Sequence, residues 1–138
     1  MAMETTVEQV EGPIPVTVVS LDGELDASNF EALIDAVRGL YDDGARQLLL
    51  DLSALRFMAS SGLVALHSIV RIMHGEPPLD PEAGWSALHT PVGETQTEVQ
   101  LCGPLPAVER VLARTGLDRM FVVHADRYTA IDAASAPA

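Results

Sequence analysis

Two adjacent hydroxyls, Ser60 and Ser61, stand immediately before Gly62 and the apolar run Leu63-Val64-Ala65-Leu66. The stretch 55–66 reads as a strand-loop passage turning into an amphipathic helix, which puts a hydroxyl at a helix mouth. Unpaired backbone N–H groups and the positive end of the helix dipole gather at such a mouth, so a phosphate carried on that hydroxyl would be stabilised locally. The same residues have a plainer use. Serine is among the best helix N-caps, accepting a hydrogen bond from a first-turn amide, and on position alone capping is the better reading of Ser60. Ser61 reads as the structural member of the pair.

Other chemistries need residues that this chain lacks. A nucleophile elbow centred on Ser60 requires glycine two positions before it, where Met58 stands. Among the histidines, His67 and His74 are seven apart on one expected helix, two turns rather than the one turn that lets neighbours chelate a metal. His89 and His124 have no partner in sequence. Asp22, Glu24 and Asp26 alternate, but an EF-hand loop begun at Asp22 would need glycine where Ala27 sits and glutamate where Leu33 sits. Neither Gly23 nor Gly62 belongs to a G-x-x-x-x-G-K-[ST] phosphate loop. The residues therefore point to no catalytic group, no metal ligands and no cofactor. More plausible roles for Glu24 and Asp26 are to shape a turn, cap the following helix and add negative potential.

Composition narrows the partners. Eight Lys+Arg against 20 Asp+Glu leave a formal charge of −12, which opposes nucleic acid and anionic lipid surfaces. A protein with a basic or apolar face is the better match. The one cysteine, Cys102, has no intrachain partner and falls in an apolar stretch, as expected of a reducing compartment. The acidic start lacks the basic and apolar regions of a signal peptide, and no apolar run approaches the ~18 residues needed to span a bilayer. The expected location is the cytoplasm. At 138 residues the chain is long enough for one domain with a real core.

Short apolar strands alternate with amphipathic helices, the pattern of an α/β layer. β-branched residues at 16–21 predict an early strand, and Gly23 a bulge or bend after it. Asp26 or Ser28 is placed to cap a helix bearing Phe30, Leu33, Ile34, Val37, Leu40 and Tyr41 on one face and stopped by Gly44. The near-continuous apolar run 47–52 predicts a central strand covered on both faces. The helix opening near Ser60 carries Leu63, Leu66, Ile69, Val70 and Met73 inward and ends near Gly75. Residues 76–97, rich in proline and glycine, predict a long surface loop or flap with Trp85, Leu79, Leu88 and Val92 as apolar anchors. A strand at 98–102, a helix at 105–115 with Val108, Val111 and Leu112 inward, a last strand at 120–124 and a short helix near 128–134 complete the pattern.

Four landmarks now stand in order: Gly23-Glu24-Leu25-Asp26, Leu50-Asp51-Leu52-Ser53, Phe57-Met58-Ala59-Ser60-Ser61-Gly62-Leu63 and Thr115-Gly116-Leu117. Together they resemble the STAS family, the anti-sigma factor antagonists and their relatives. The resemblance covers about residues 14–134, with 76–97 as an insertion. It implies one STAS-like domain over 1–138, a mixed sheet of about four to five strands flanked by about four helices.

The resemblance also implies a role. In the antagonists the first serine of an Asp-Ser-Ser-Gly sequence is phosphorylated by an anti-sigma kinase, and the unphosphorylated form binds the anti-sigma factor. The matching serine is Ser60. A docking face of Gly23, Glu24, Asp26, Ala59, Ser60, Ser61, Gly62 and Leu63 is implied, with an anti-sigma factor, in some cases a kinase, as partner. Ala59 stands where the antagonists carry the aspartate, so the carboxylate that could orient the serine or a kinase-bound metal is missing. Two other readings stay open: an unphosphorylated STAS scaffold or transporter-complex subunit, and a small-molecule sensor using a cleft under the 76–97 loop.

Overall fold

The computed structural model describes residues 3–11, 14–76 and 96–135. Its elements are β1 (Met3–Val10), β2 (Val16–Leu25), α1 (Phe30–Asp42), β3 (Leu48–Met58), α2 (Ser60–Met73), β4 (Gln96–Cys102), α3 (Pro106–Thr115), the short α4 (Leu117–Met120), β5 (Phe121–His124) and α5 (Arg127–Ser135). The five strands form one sheet in the order β1-β2-β3-β4-β5. β1 runs antiparallel to β2, and every later pair is parallel. Parallel neighbours need a crossover, which α1, α2 and α3 supply.

The strand side-chain period of two divides the apolar run of β3 between two cores. Leu48, Leu50 and Leu52 join Val19 and Leu21 of β2 and Val99 and Leu101 of β4 in the main core. There they pack against Leu33 and Val37 of α1, Leu66 and Ile69 of α2, and Val108 and Leu112 of α3. Leu49 points the other way, into a smaller cluster with Val16, Val18, Cys102 and Ala130 of α5. Coverage on both faces is why this strand reads as nearly continuous apolar sequence. Burial, joined by the negative charge of nearby Asp51, pushes the Cys102 thiol up to about 12.

Asp51 lies on the face covered by α5, and its side chain is only 12 % exposed. A buried carboxylate must be paired or saturated with donors. Here Oδ1 accepts the amide and hydroxyl of Ser53 at 3.0 and 2.7 Å. Oδ2 accepts Nε and Nη2 of Arg127 at 3.2 and 3.0 Å. Burial pushes the carboxyl upward, but the Ser53 and Arg127 hydrogen bonds and the guanidinium charge outweigh it, so its pKa lies below the ordinary value.

Several expectations need correction. β1 lies ahead of the core anticipated from about residue 14, because its outer face is exposed and its pattern carries little hydrophobic signal. β3 continues six residues past Leu52, through the stretch read as a strand-loop passage. The cap position of α1 is Asn29, not Asp26 or Ser28, and no side chain caps it. Residues 77–95, with Trp85, Leu79, Leu88, Val92 and His89, lie outside the described residues.

Two outcomes test this account. Leu50→Ala should lower the unfolding free energy by about 2–5 kcal/mol, as for a buried core leucine, measured by urea titration. A group with a lowered folded-state pKa contributes stability above its unfolded value and loses it as pH falls through the folded one. The stability advantage of the native chain over Asp51→Asn should therefore be full above the ordinary value of 3.8 and shrink in more acidic solution. A constant gap between pH 6 and about pH 2 would remove Asp51 from this role.

Candidate functional site

β2 and β3 run parallel, so their C-terminal ends arrive together at one edge of the sheet. Two register shifts, between Ser20 and Asp22 and between Gly23 and Glu24, put extra residues into β3. Such irregularities re-aim a strand end. Gly23, at φ 124°, stands beside the second shift in a backbone region that side-chain-bearing residues rarely adopt, in agreement with the expected bulge. Beyond it Glu24 pairs with Phe57 and Leu25 with Met58. The Ala59 amide donates to the Leu25 carbonyl at 2.9 Å, and α2 begins at the next residue. The Gly23-Glu24-Leu25 end of β2, the turn that follows it from Asp26 and the serine pair are thus adjacent.

The turn is held by its own polar groups. Asp26 Oδ1 accepts the Ser28 amide at 2.9 Å and the Ser28 hydroxyl at 2.5 Å. The Asn29 side chain closes it from the other side: Oδ1 accepts the Asp26 amide at 3.0 Å, and Nδ2 donates to the Glu24 carbonyl at 2.8 Å. The Ser28 hydroxyl and amide hold the Asp26 carboxyl below its ordinary value, so it stays ionised in neutral solution. The sequence reading did not single out Asn29, because it placed the cap at Asp26 or Ser28. The side chain of Asn29 serves the turn behind it instead.

At the helix mouth, Ala59 occupies the cap position with extended backbone and provides no side-chain cap. Ser60 is the first helical residue and is exposed, so the capping role read for it is corrected. No acidic residue occupies the first turn of α2. Ser61 is half-buried, with a hydroxyl oxygen that is enclosed and lacks a protein partner; Glu24 Oε2 is in the same situation. Gly62 and Leu63 are buried, as is Gly23, while Glu24, Asp26 and Ala59 are half-buried. The exposed surface at this edge therefore centres on the Ser60 hydroxyl. Phe57, 48 % exposed, adds an apolar group that the sequence reading did not single out. Arg56 beside it reaches Asp22 at 3.7 Å.

The described histidines lie elsewhere. His74 Nε2 is 3.2 Å from Glu98 Oε2, and His124 Nε2 is 2.7 Å from Gln100 Oε1. His67 is half-buried, and burial lowers its pKa. Among the described residues no group of three His, Cys, Asp or Glu could hold a metal ion.

A five-stranded mixed sheet, crossover helices that build the main core on one face, and a serine-bearing helix mouth beside the Gly-Glu-Leu-Asp corner at the end of β2 define a STAS-type α/β module. Residues 10–77 match the family model described as "Mlab, STAS domain". The chain belongs to the STAS domain family and is anti-sigma factor antagonist-like. It is 29 % identical to an anti-sigma factor antagonist from Mycobacterium paratuberculosis, with a TM-score of 0.67 over 96 % of this chain and 93 % of that one. The phosphorylated Bacillus cell fate determinant SpoIIAA has the same fold at 19 % identity and a TM-score of 0.59, over 94 % of this chain and 99 % of its own. So does the STAS domain of a SulP transporter from Vibrio cholerae, at 19 % identity and a TM-score of 0.56, over 86 % and 78 %. No curated protein sequence matches the chain.

Gly62 sets how closely α2 approaches the strand ends. A Cβ there would lie 2.5 Å from Met58 Cγ and 3.1 Å from Leu25 Cδ2. Gly62→Ala should therefore destabilise by about 1–3 kcal/mol through overpacking, although alanine favours helix. Urea unfolding measures the loss, and a stability gain would show that the mouth can move outward freely.

Proposed function

We propose that this chain is a noncatalytic regulatory module, an anti-sigma factor antagonist that docks through the edge formed by Glu24, Asp26, Ala59, Ser60 and Ser61 and supported from below by Gly23, Gly62 and Leu63. The observation that carries the reading is the exposed Ser60 hydroxyl at a helix mouth with no side-chain cap, next to a hydrogen-bonded acidic turn. The partner is an anti-sigma factor, a kinase of the histidine-kinase-like ATPase type in the phosphorylating version, with ATP held by that partner. The chain itself requires no cofactor and no nucleic acid, and works in the cytoplasm.

Ser60, not Ser61, is the phosphate acceptor in this reading, because its side chain is exposed while the Ser61 hydroxyl is enclosed. A phosphoserine adds roughly −1.5 to −2 charge and strong acceptor oxygens. The helix mouth tolerates that charge in the free protein. A partner that must desolvate the same edge does not, so the complex weakens and the fold persists.

A second reading rests on Ala59. Without the carboxylate that precedes the serine in the antagonists, the same edge serves equally as a permanent contact of a STAS scaffold or transporter-complex subunit.

Ser60→Asp should weaken binding to a cognate anti-sigma factor by tenfold or more in an isothermal titration while leaving the circular dichroism melt in place. Equal affinity would exclude this edge from docking. Phosphosite mapping of protein from its native cells separates the two readings: condition-dependent phosphate on Ser60 supports the switch, and an unmodified serine in a stoichiometric complex supports the scaffold.

A further inference from the structure

The two cores are unequal, and α5 belongs only to the smaller one. Among the described side chains the main cluster contains no α5 residue. In the second cluster, α5 contributes Ala130 and half-buried Ile131 against Val10, Val16, Val18, Leu49 and Cys102. Tyr128 is 80 % exposed, and Thr129 and Asp132 are exposed as well. What fixes the helix to the sheet is polar. From its first residue, Arg127 Nη1 donates to Glu8 Oε2 of β1 at 2.6 Å, and Nη2 to Ser20 Oγ of β2 at 2.8 Å. Nε and Nη2 both donate to Asp51 Oδ2 of β3. One guanidinium thus ties α5 to three strands.

From this geometry we propose that α5 is a latch, held by Arg127 and released as a unit, whose opening uncovers the second sheet face and Cys102 while the main core stays folded. Local opening takes the path that breaks the fewest apolar contacts, and the apolar seal of α5 is two residues wide among its described side chains. The helix also retains an internal start when it leaves, because Asp126 Oδ1 accepts the Thr129 amide at 2.8 Å and the Asp126 carbonyl accepts the Ala130 amide at 3.2 Å. The exposed face would present Val16, Val18 and Leu49 beside the freed Asp51 and Glu8 carboxylates, an apolar strip with two negative charges.

Cys102, the sole cysteine, is fully buried in that cluster and reports the opening directly. The experiment labels the full chain with 5,5′-dithiobis(2-nitrobenzoate) across low urea concentrations, beside a far-ultraviolet circular dichroism urea titration. A latch makes the labelling rate of the native chain nearly independent of urea well below the global transition, since local opening exposes little area. It also makes Arg127→Gln label faster by the factor by which it changes the global unfolding constant, since the clamp is lost in the open and the unfolded chain alike, and leaves Leu50→Ala labelling at the native rate, since Leu50 belongs to the core that stays folded. Labelling that follows the global unfolding slope down to zero urea would overturn the proposal. So would a Leu50→Ala labelling rate that rises in step with its global destabilisation. The native-chain urea dependence decides the matter by itself if Arg127→Gln does not fold.

Discussion

A carboxylate in the middle of an apolar central strand is stable only if charge reaches it from elsewhere in the chain. Asp51 occupies such a place, and Arg127 supplies the charge across 76 residues of sequence. Removing Arg127 strands Asp51 beneath a helix, and an unpaired buried charge is among the most destabilising single defects, whereas Arg127 without Asp51 keeps its Glu8 partner. The pair also sets geometry. Because the guanidinium is a rigid fork of donors, it fixes the β1, β2 and β3 side chains that it touches relative to one another. The far ends of β2 and β3 carry the acidic turn and the serine pair.

The serine edge depends on the same frame through a different device. Its parts come from two strand ends and one helix start, brought together by backbone pairing and by the absence of a side chain at Gly62. An exposed hydroxyl, an ionised turn carboxylate and an exposed phenyl ring make a surface suited to recognition, and to being altered by an added charge.

The elements with one strong periodic signal were legible in the sequence. The α1 stripe of Leu33, Ile34 and Val37, the apolar run of β3 and the α2 stripe from Leu63 to Met73 all lie as their spacing predicts, because burial on one face or two leaves a direct mark on residue type. β1 was not legible: an edge strand exposed along most of its length has little hydrophobic pattern to show. The extension of β3 to Met58 was hidden by Ser53, Ala54 and Arg56, which face solvent where the ladder shifts register. At the site, composition located the serines and the turn, but not which hydroxyl is exposed. That depends on Ala59 taking the cap position, a one-residue difference that residue preferences do not resolve. The Arg127 clamp is a contact between distant segments, and no local pattern announces it.

The contact between Glu8 and Arg127 joins residues 119 apart, so it closes nearly the whole described chain into a single loop. A loop of that length has a large closure entropy, and its ends meet profitably only after the intervening sheet is in place. Closure entropy therefore favours assembly from the contiguous β2-α1-β3-α2 segment, with the Glu8–Arg127 contact made late. Interactions made that late leave the folding rate almost untouched and act on the unfolding rate. The clamp is thus a determinant of how long a native molecule lasts rather than of how fast one forms.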